Sequence, residues 1–172
     1  LSARDDARLR ALARRLYTFL EQVDVPLDDL AYTLQVGRVA FDHRLAFIVR
    51  DMADLSQRLH AFARDGVVRA DGSSFAGERT SNREAWNANS RDERPSARAA
   101  TWMREGDLGS LAHAWTSGAS IDWVRARGDS AARRANLPGY PFARVRHWFP
   151  DTSSTPTDAS TSARTLLLTP RW

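Results

Sequence analysis

Two prolines near the end of the chain constrain its fold more than any other feature. Pro138 and Pro141 each lack a backbone donor, and each disfavours helical backbone angles in the residue before it. Three large aromatic side chains nevertheless fall within nine residues here, at Tyr140, Phe142 and Trp148. Because aromatics carry more apolar surface than a solvated linker needs, we predict an extended strap, residues 137–148, that lies on a preformed surface. A proline-rich surface loop is the bland alternative.

The first part of the chain predicts three helices. Ser2, with Asp5 three residues later, forms a capping-box pattern before the first helix. Pro26 begins a second helix that Gly37 ends, and we expect these two helices to pack as a pair. Asp51 caps a third. The apolar residues at helical spacing are Leu9, Leu12, Ala13, Leu16, Phe19, Leu20 and Val23 in the first helix, Leu27, Leu30, Ala31 and Leu34 in the second, and Met52, Leu55, Leu59 and Phe62 in the third.

A short sheet is predicted beside these helices. Residues 44–50 are an apolar run between two arginines, which favours a buried strand. Residues 67–95 lack periodicity and indicate a loop, with helical patterns returning after it. Asp107 can cap one of these later helices, and the Ser120 hydroxyl can cap a short turn that follows it. The predicted fold class is α/β (α+β), with helices packed on a small sheet and the strap crossing back over them.

Composition narrows the function. All 25 basic residues are arginine and the net charge is +4, but the arginines are scattered among 21 acidic residues. Nucleic-acid binding, which concentrates positive charge on one face, is therefore not favoured. The absence of cysteine excludes disulfides and thiolate chemistry. No apolar run is long enough to span a bilayer and no signal peptide is recognisable, so we expect no membrane association and a cytoplasmic location.

The sequence contains no recognisable catalytic, metal-binding or phosphate-binding motif. The Gly-Ser-Ser-Phe-Ala-Gly sequence at 72–77 has the wrong spacing for a nucleophile elbow. The four histidines are dispersed, and a chain without lysine cannot contain a Gly-Lys phosphate loop. We therefore predict no catalytic residue, no cofactor and no metal site, and expect that the chain is not an enzyme by itself.

The amino-acid composition changes after residue 150. Residues 151–164 are rich in Thr, Ser, Pro and Ala, and predict a flexible linker. Residues 165–172 resemble a single strand, which is not stable alone. We interpret them as the start of a following domain, with residues 1–150 as the main domain, so that the chain is a segment of a larger protein.

Several blocks carry a family resemblance. Residues 29–38 (Asp-Leu-Ala-Tyr-Thr-Leu-Gln-Val-Gly-Arg), together with residues 1–3, residues 44–47 and the strap, resemble the linker domain that flanks the ketosynthase in modular polyketide synthases. The strap departs from the family pattern at Gly139, Val145 and His147, where Thr, Glu and Tyr are usual.

The resemblance implies a structural role in polyketide and antibiotic biosynthesis, a pathway of secondary metabolism. The segment would fix the geometry between a preceding ketosynthase of the same chain and the domains that follow, the next being a ketoreductase candidate. An independent protein-interaction adaptor is the alternative. The docking residues would be Tyr140, Phe142, Arg144, Arg146 and Trp148. Burial of the three aromatics entirely within this domain is the alternative.

The resemblance also implies how the parent synthase is assembled. About 55 residues separate the predicted strand from Leu108, too few for an acyltransferase domain, which points to the class served by a trans-acting acyltransferase. An acyl carrier protein and that acyltransferase are further candidate partners, and dimerisation would occur through the parent ketosynthase. Residues 75–117 would form a lateral contact between neighbouring synthases. Its aromatic residues are Phe75, Trp86, Trp102 and Trp115.

Overall fold

A computed structural model describes residues 1–79 and 95–143 of the chain. Its elements, in chain order, are β1 (Ser2–Ala3), α1 (Asp6–Leu20), α2 (Leu27–Val36), β2 (His43–Phe47), α3 (Met52–Asp65), β3 (Ser74–Glu78), α4 (Pro95–Glu105), α5 (Leu108–Thr116) and α6 (Trp123–Arg127). The three strands form one antiparallel sheet in the order β1-β2-β3. The predicted fold class, helices on a small sheet, is confirmed.

The central strand, β2, begins one residue before the run predicted as a strand, residues 44–50, and ends at Phe47, so it is shorter than predicted. Leu45 is buried and pairs with Ala76 of β3, and the ladder ends where Phe47 faces Ser74. The partner strand β3 corrects the prediction of an unbroken loop over residues 67–95. Its Ser-Phe-Ala-Gly-Glu sequence has little strand propensity, and the main-chain bonds to β2 stabilise it instead.

Helix starts follow acidic caps. Asp51 accepts a hydrogen bond from the Asp54 amide at the start of α3, as predicted. At α1 the cap is Asp5, which accepts from the Arg8 amide, whereas Ser2 lies in β1. The Ser2 hydroxyl instead accepts from the Phe41 amide and donates to the Val39 carbonyl, so the capping-box prediction was wrong. Short side chains can serve either role, and strand pairing took Ser2 away from the helix.

Of two later predicted caps, one is confirmed and one is replaced by a neighbouring residue. Asp107 caps α5 by accepting from the Ser110 amide, as predicted. The short turn predicted after Ser120 is the helix α6, and its cap is Asp122, which accepts from the Arg125 amide. A carboxylate two residues further on thus replaces the predicted hydroxyl cap.

The larger of two apolar cores lies between the sheet and the first three helices. Helix α1 packs chiefly on α3, not on α2 as expected, because both helices lie on the sheet. The buried members of this core are Ala3, Leu9, Ala13, Leu16, Val25, Leu30, Leu45, Leu55, Leu59, Phe62, Ala63 and Leu137. Most of the predicted stripe positions of the three helices are therefore confirmed as core or core-packed. Val23, predicted in the first stripe, lies beyond the end of α1 and is 41% exposed, so that part of the prediction was wrong.

A second, smaller core joins α4, α5 and α6. Its buried members are Ala99, Trp102, Leu111, Ala114, Ala119 and Ala126. Helix α5 also packs against β2 and β3, so this layer lies on the sheet as well. None of the helices in the described ranges is long and apolar enough to cross a membrane.

An ion-pair network ties α3 to the chain that leads into β3. The Arg58 guanidinium bonds Asp54 at 2.7 Å, Asp71 at 2.6 Å and the Ser74 hydroxyl at 2.7 Å. The hydrogen bond from Arg58 lowers the pKa of Asp54 below its ordinary value. Arg58 thereby holds the start of β3 in register beside the helix.

Candidate docking site

The helix α2 presents three side-chain stripes, each with a different partner. The first is apolar and faces the larger core, with Leu30 fully buried and Leu27 and Leu34 packed against it. These positions recur at i, i+3 and i+7, the spacing of one helix face. The two flanking stripes are polar and bind chain from the C-terminal part of the domain.

One polar stripe holds the end of α6. The Arg127 guanidinium donates to the Asp28 carboxylate at 3.0 Å and to the Gln35 amide oxygen at 3.1 Å. Its carbon also lies 5.6 Å from the ring centroid of Tyr32. Asp28, Tyr32 and Gln35 are one helix turn apart, so a single arginine can contact all three. The contact attaches the second helical layer to α2.

The other polar stripe binds main chain. The Arg133 amide donates to Asp29 Oδ1 at 2.7 Å, and the Ala135 amide donates to Thr33 Oγ at 2.8 Å. Thr33 is only 6% exposed, and its hydroxyl donates in turn to the Asp29 carbonyl at 2.7 Å. We call residues 129–143, which form neither helix nor strand, the C-terminal segment. Asp29 and Thr33 thus bind its backbone without contacting its polar side chains.

Arg38, just beyond the end of α2, continues this stripe. Its guanidinium donates to the carbonyls of Leu137 at 3.1 Å and Pro138 at 3.0 Å. The Leu137 side chain is buried in the larger core. The first two residues of the strap are therefore held through both side chain and backbone.

The two aromatic residues of the strap that the structure describes have different surroundings. The Tyr140 hydroxyl accepts from the Arg4 amide at 3.1 Å, and its ring centroid lies 4.9 Å from that of Phe41. Phe142 is 80% exposed and meets only the edge of Tyr140 at 5.0 Å among the described rings. Tyr140 is thus an anchor on this domain, while Phe142 points away from its core. Arg144, Arg146 and Trp148 lie outside the described residues.

An apolar groove of about 670 Å³ opens beside the strap. Its wall includes three strongly exposed apolar side chains: Val39 at 73%, Val124 at 60% and Phe142 at 80%. Exposed apolar side chains that line one groove are typical of an interaction surface. Alpha helix α2, β2 and the residues around α6 supply most of the remaining wall.

Arg44 forms part of the groove wall although it is only 4% exposed. Its guanidinium donates to the carbonyls of Phe41, at 2.9 Å, and of Trp115 and Ala119, each at 2.8 Å. Its carbon lies 5.2 Å from the Trp115 ring centroid. Burial lowers the pKa of Arg44 from its ordinary value, but three carbonyls and an aromatic face solvate the charge. Arg44 thereby joins β2 to the end of α5.

The proposed lateral-contact residues are spread over separate elements. Phe75 is half-buried in β3, opposite Ala46. Trp102 is 9% exposed within the smaller core, and Trp115 stacks edge-on against Trp123 at 6.3 Å. Trp86 lies outside the described residues. Trp102 therefore has little surface to offer a partner.

Asp29, Thr33, Arg38 and Arg127 are functional candidates that the sequence reasoning did not single out. Adjacent Asp28 and Asp29 can be explained by the helix dipole alone, and nothing local shows which chain they bind. The available signal was the i, i+4 spacing of Asp29 and Thr33, which places two acceptors on one face. In the described ranges, no group of three or more His, Asp or Glu residues is arranged to hold a metal ion.

Helices on a three-stranded antiparallel sheet, with an apolar groove beside an extended strap, define a small α/β (α+β) domain. Comparisons with known proteins show which family and which larger proteins it is similar to. Residues 1–66 match the family described as RhiE-like, KS-MAT linker domain. Polyketide synthase PksM of Bacillus subtilis is 39% identical over 148 residues, and polyketide synthase ThaG of Burkholderia thailandensis is 40% identical over 159. These matches cover 86% and 87% of this chain but only 3% of either relative.

Solved structures agree with the sequence matches. A ketosynthase from module 6 of the bacillaene synthase of Bacillus subtilis superposes with a TM-score of 0.75 at 33% identity. The likeness covers 87% of this chain and 26% of that one. The chain belongs to the ketosynthase-associated linkers of modular polyketide synthases, and it matches a segment that accompanies the ketosynthase in those proteins.

Proposed function

We propose that this segment fixes the position of a ketosynthase relative to the domains that follow it, so that a carrier protein can reach both. The observation that carries the proposal is the contrast between two neighbouring aromatics. Tyr140 is held on this domain, whereas Phe142 is 80% exposed beside an apolar groove. A strap that is anchored at one residue and presents the next aromatic outward suits a contact between two domains.

The ketosynthase is the partner that we propose for this surface. The chain matches about a quarter of the length of two solved ketosynthase chains. In those proteins, a ketosynthase domain and a segment similar to this one therefore occur in one polypeptide. Arg144, Arg146 and Trp148 remain proposed contacts to the same partner. Association into homodimers would then follow from the ketosynthase.

We further propose that a trans-acting acyltransferase serves the parent synthase. The match to PksM extends over 148 residues and 86% of this chain, which leaves no space for an inserted catalytic domain.

The lateral contact through residues 75–117 is retained as a proposal for Phe75, Trp86 and Trp115, with Trp102 as core support. A stand-alone adaptor is not favoured, because the relatives are polyketide synthases far longer than this chain.

The test compares the 172-residue chain with a longer chain that includes the ketosynthase. Phe142→Ala should leave the urea stability of the short chain within about 0.5 kcal/mol, since an exposed ring loses few contacts. In the long chain the same change should accelerate tryptic cleavage at Arg144 and Arg146, because the strap loses its second anchor. Val67→Ala, which removes apolar surface that is 67% exposed outside the groove, is the control.

Two results would contradict the proposal. Equal cleavage of wild type and Phe142→Ala in the long chain would show that this ring does not dock on the ketosynthase. A loss of several kcal/mol in the short chain would place the ring in the core of this domain.

A further inference from the structure

The stripe of α2 that binds main chain has a regular geometry. Asp29 and Thr33 are four residues apart on a helix, a rise of about 6 Å. Their partners, the amides of Arg133 and Ala135, are two residues apart, and two residues of extended chain span about 6.6 Å. One helix turn therefore matches one side-chain repeat of the C-terminal segment. Arg38 extends the match to the carbonyls of Leu137 and Pro138.

The recognition is directed at backbone atoms. Asp29 and Thr33 accept from amides, and Arg38 donates to carbonyls. The side chains of Arg133, Arg134 and Asn136 are exposed. The segment's own contribution to packing is apolar and comes at set positions: Leu137 is buried, and Ala135 and Tyr140 pack against the larger core.

From these contacts we propose that Asp29, Thr33 and Arg38 form a main-chain clamp that sets the register of the C-terminal segment, and with it the point where Phe142 emerges beside the groove. A slip by one residue would move Phe142 by about 3.3 Å and turn alternate side chains to the opposite face. Leu137 would leave the core. The clamp thus disfavours the shifted registers without contacts to the side chains of residues 133, 134 and 136.

The inference is independent of the ketosynthase proposal, because it is tested in the 172-residue chain alone. The measurement is amide hydrogen exchange by NMR. Thr33→Val keeps the shape of the side chain but removes the acceptor, so the Ala135 amide should exchange roughly three- to tenfold faster. Asp29→Ala should have the same effect on the Arg133 amide. Thr33→Ser and Asp29→Asn retain an oxygen acceptor and should restore most of the protection.

Three controls separate register from general stability. The Leu59 amide, in the middle of α3, reports global unfolding and should be unaffected. Thr18→Val changes an exposed threonine of α1 and should leave both segment amides unchanged. Arg134→Ala and Asn136→Ala alter exposed side chains of the segment itself and should do the same.

The proposal fails if Thr33→Val leaves exchange at Ala135 unaltered while Leu59 is also unaltered. It fails equally if Asn136→Ala speeds exchange as much as Thr33→Val, since the segment would then be recognised through its side chains. If Thr33→Val accelerates Leu59 as much as Ala135, the hydroxyl acts on overall stability and the clamp is overturned.

Discussion

At the scale of single residues, Arg44 joins the two parts of the molecule. It stands in the central strand, opposite Ser2 of β1, and its side chain reaches the last turn of α5. The carbonyl of Trp115 lies in the last turn of α5 and that of Ala119 lies three residues beyond the helix, near the negative end of the helix dipole, so a cation is favoured there. A buried arginine with only carbonyl and aromatic partners satisfies those acceptors without needing a carboxylate.

Arg44→Met should therefore destabilise the chain by about 2–4 kcal/mol, because the three carbonyls lose the hydrogen bonds that the buried guanidinium donates. Urea unfolding followed by tryptophan fluorescence measures the loss. Arg69→Met, at an exposed arginine, is the matched control and should change stability by less than about 0.5 kcal/mol. Equal effects of the two substitutions would show that the Arg44 contacts contribute nothing specific.

At the scale of elements, α2 connects more of the molecule than its ten residues suggest. One face packs in the larger core, one flank binds Arg127 of α6, and the other binds the C-terminal segment. The block at residues 29–38, which carries part of the family resemblance, thus contains Asp29 and Thr33, which bind the segment, and Gln35, which binds Arg127. Asp28, the other polar partner of Arg127, directly precedes the block. Its length of under three turns would not be stable alone, so these tertiary contacts also hold the helix.

The smaller core gives a prediction about α4. Trp102 is 9% exposed and packs with Ala99 and Leu111, so Trp102→Ala should cost about 3–5 kcal/mol. Val124→Ala, at a groove residue that is 60% exposed, should cost far less. Thermal unfolding monitored by circular dichroism measures both. If Trp102→Ala left the stability unchanged but abolished self-association in sedimentation velocity, Trp102 would belong to the lateral contact and not to the core.

At the scale of the whole molecule, two cores share one sheet and leave a groove between them. The larger core supports α1, α2 and α3, and the smaller one supports α4, α5 and α6. The groove is lined from both sides, by α2 and by the residues around α6. The groove is therefore bounded by elements that pack in different cores.

We expect no acyl transfer by the segment itself. The sequence offers no cysteine and no recognisable nucleophile elbow, and a scaffold role needs neither. Incubation with malonyl-coenzyme A and a carrier protein should leave the intact mass of the chain unchanged. Detection of a covalent acyl adduct by mass spectrometry would contradict this expectation. The carrier protein alone, without the chain, is the control for spontaneous acylation.

The sequence by itself determined the elements whose signals are local. Helical stripes such as Leu55, Leu59 and Phe62 fix which face of a helix is buried, and Asp51 and Gly66 mark where α3 begins and ends. Gly66 has φ of 69°, a conformation that glycine adopts without strain. Proline chemistry likewise excluded a helix near Leu137, and the described part of the strap has none.

Only the tertiary structure decided features that depend on distant partners. The strand β3 exists because β2 offers main-chain groups, and Ser2 joins a strand because Phe41 and Val39 lie beside it. The difference in burial between Tyr140 and Phe142 also depends on distant partners. Both are aromatic residues in one strap, but only Tyr140 reaches a distant donor, the Arg4 amide 136 positions away in the sequence, and a distant ring, that of Phe41. Sequence spacing carries no information about such contacts, which arise when the chain packs on itself.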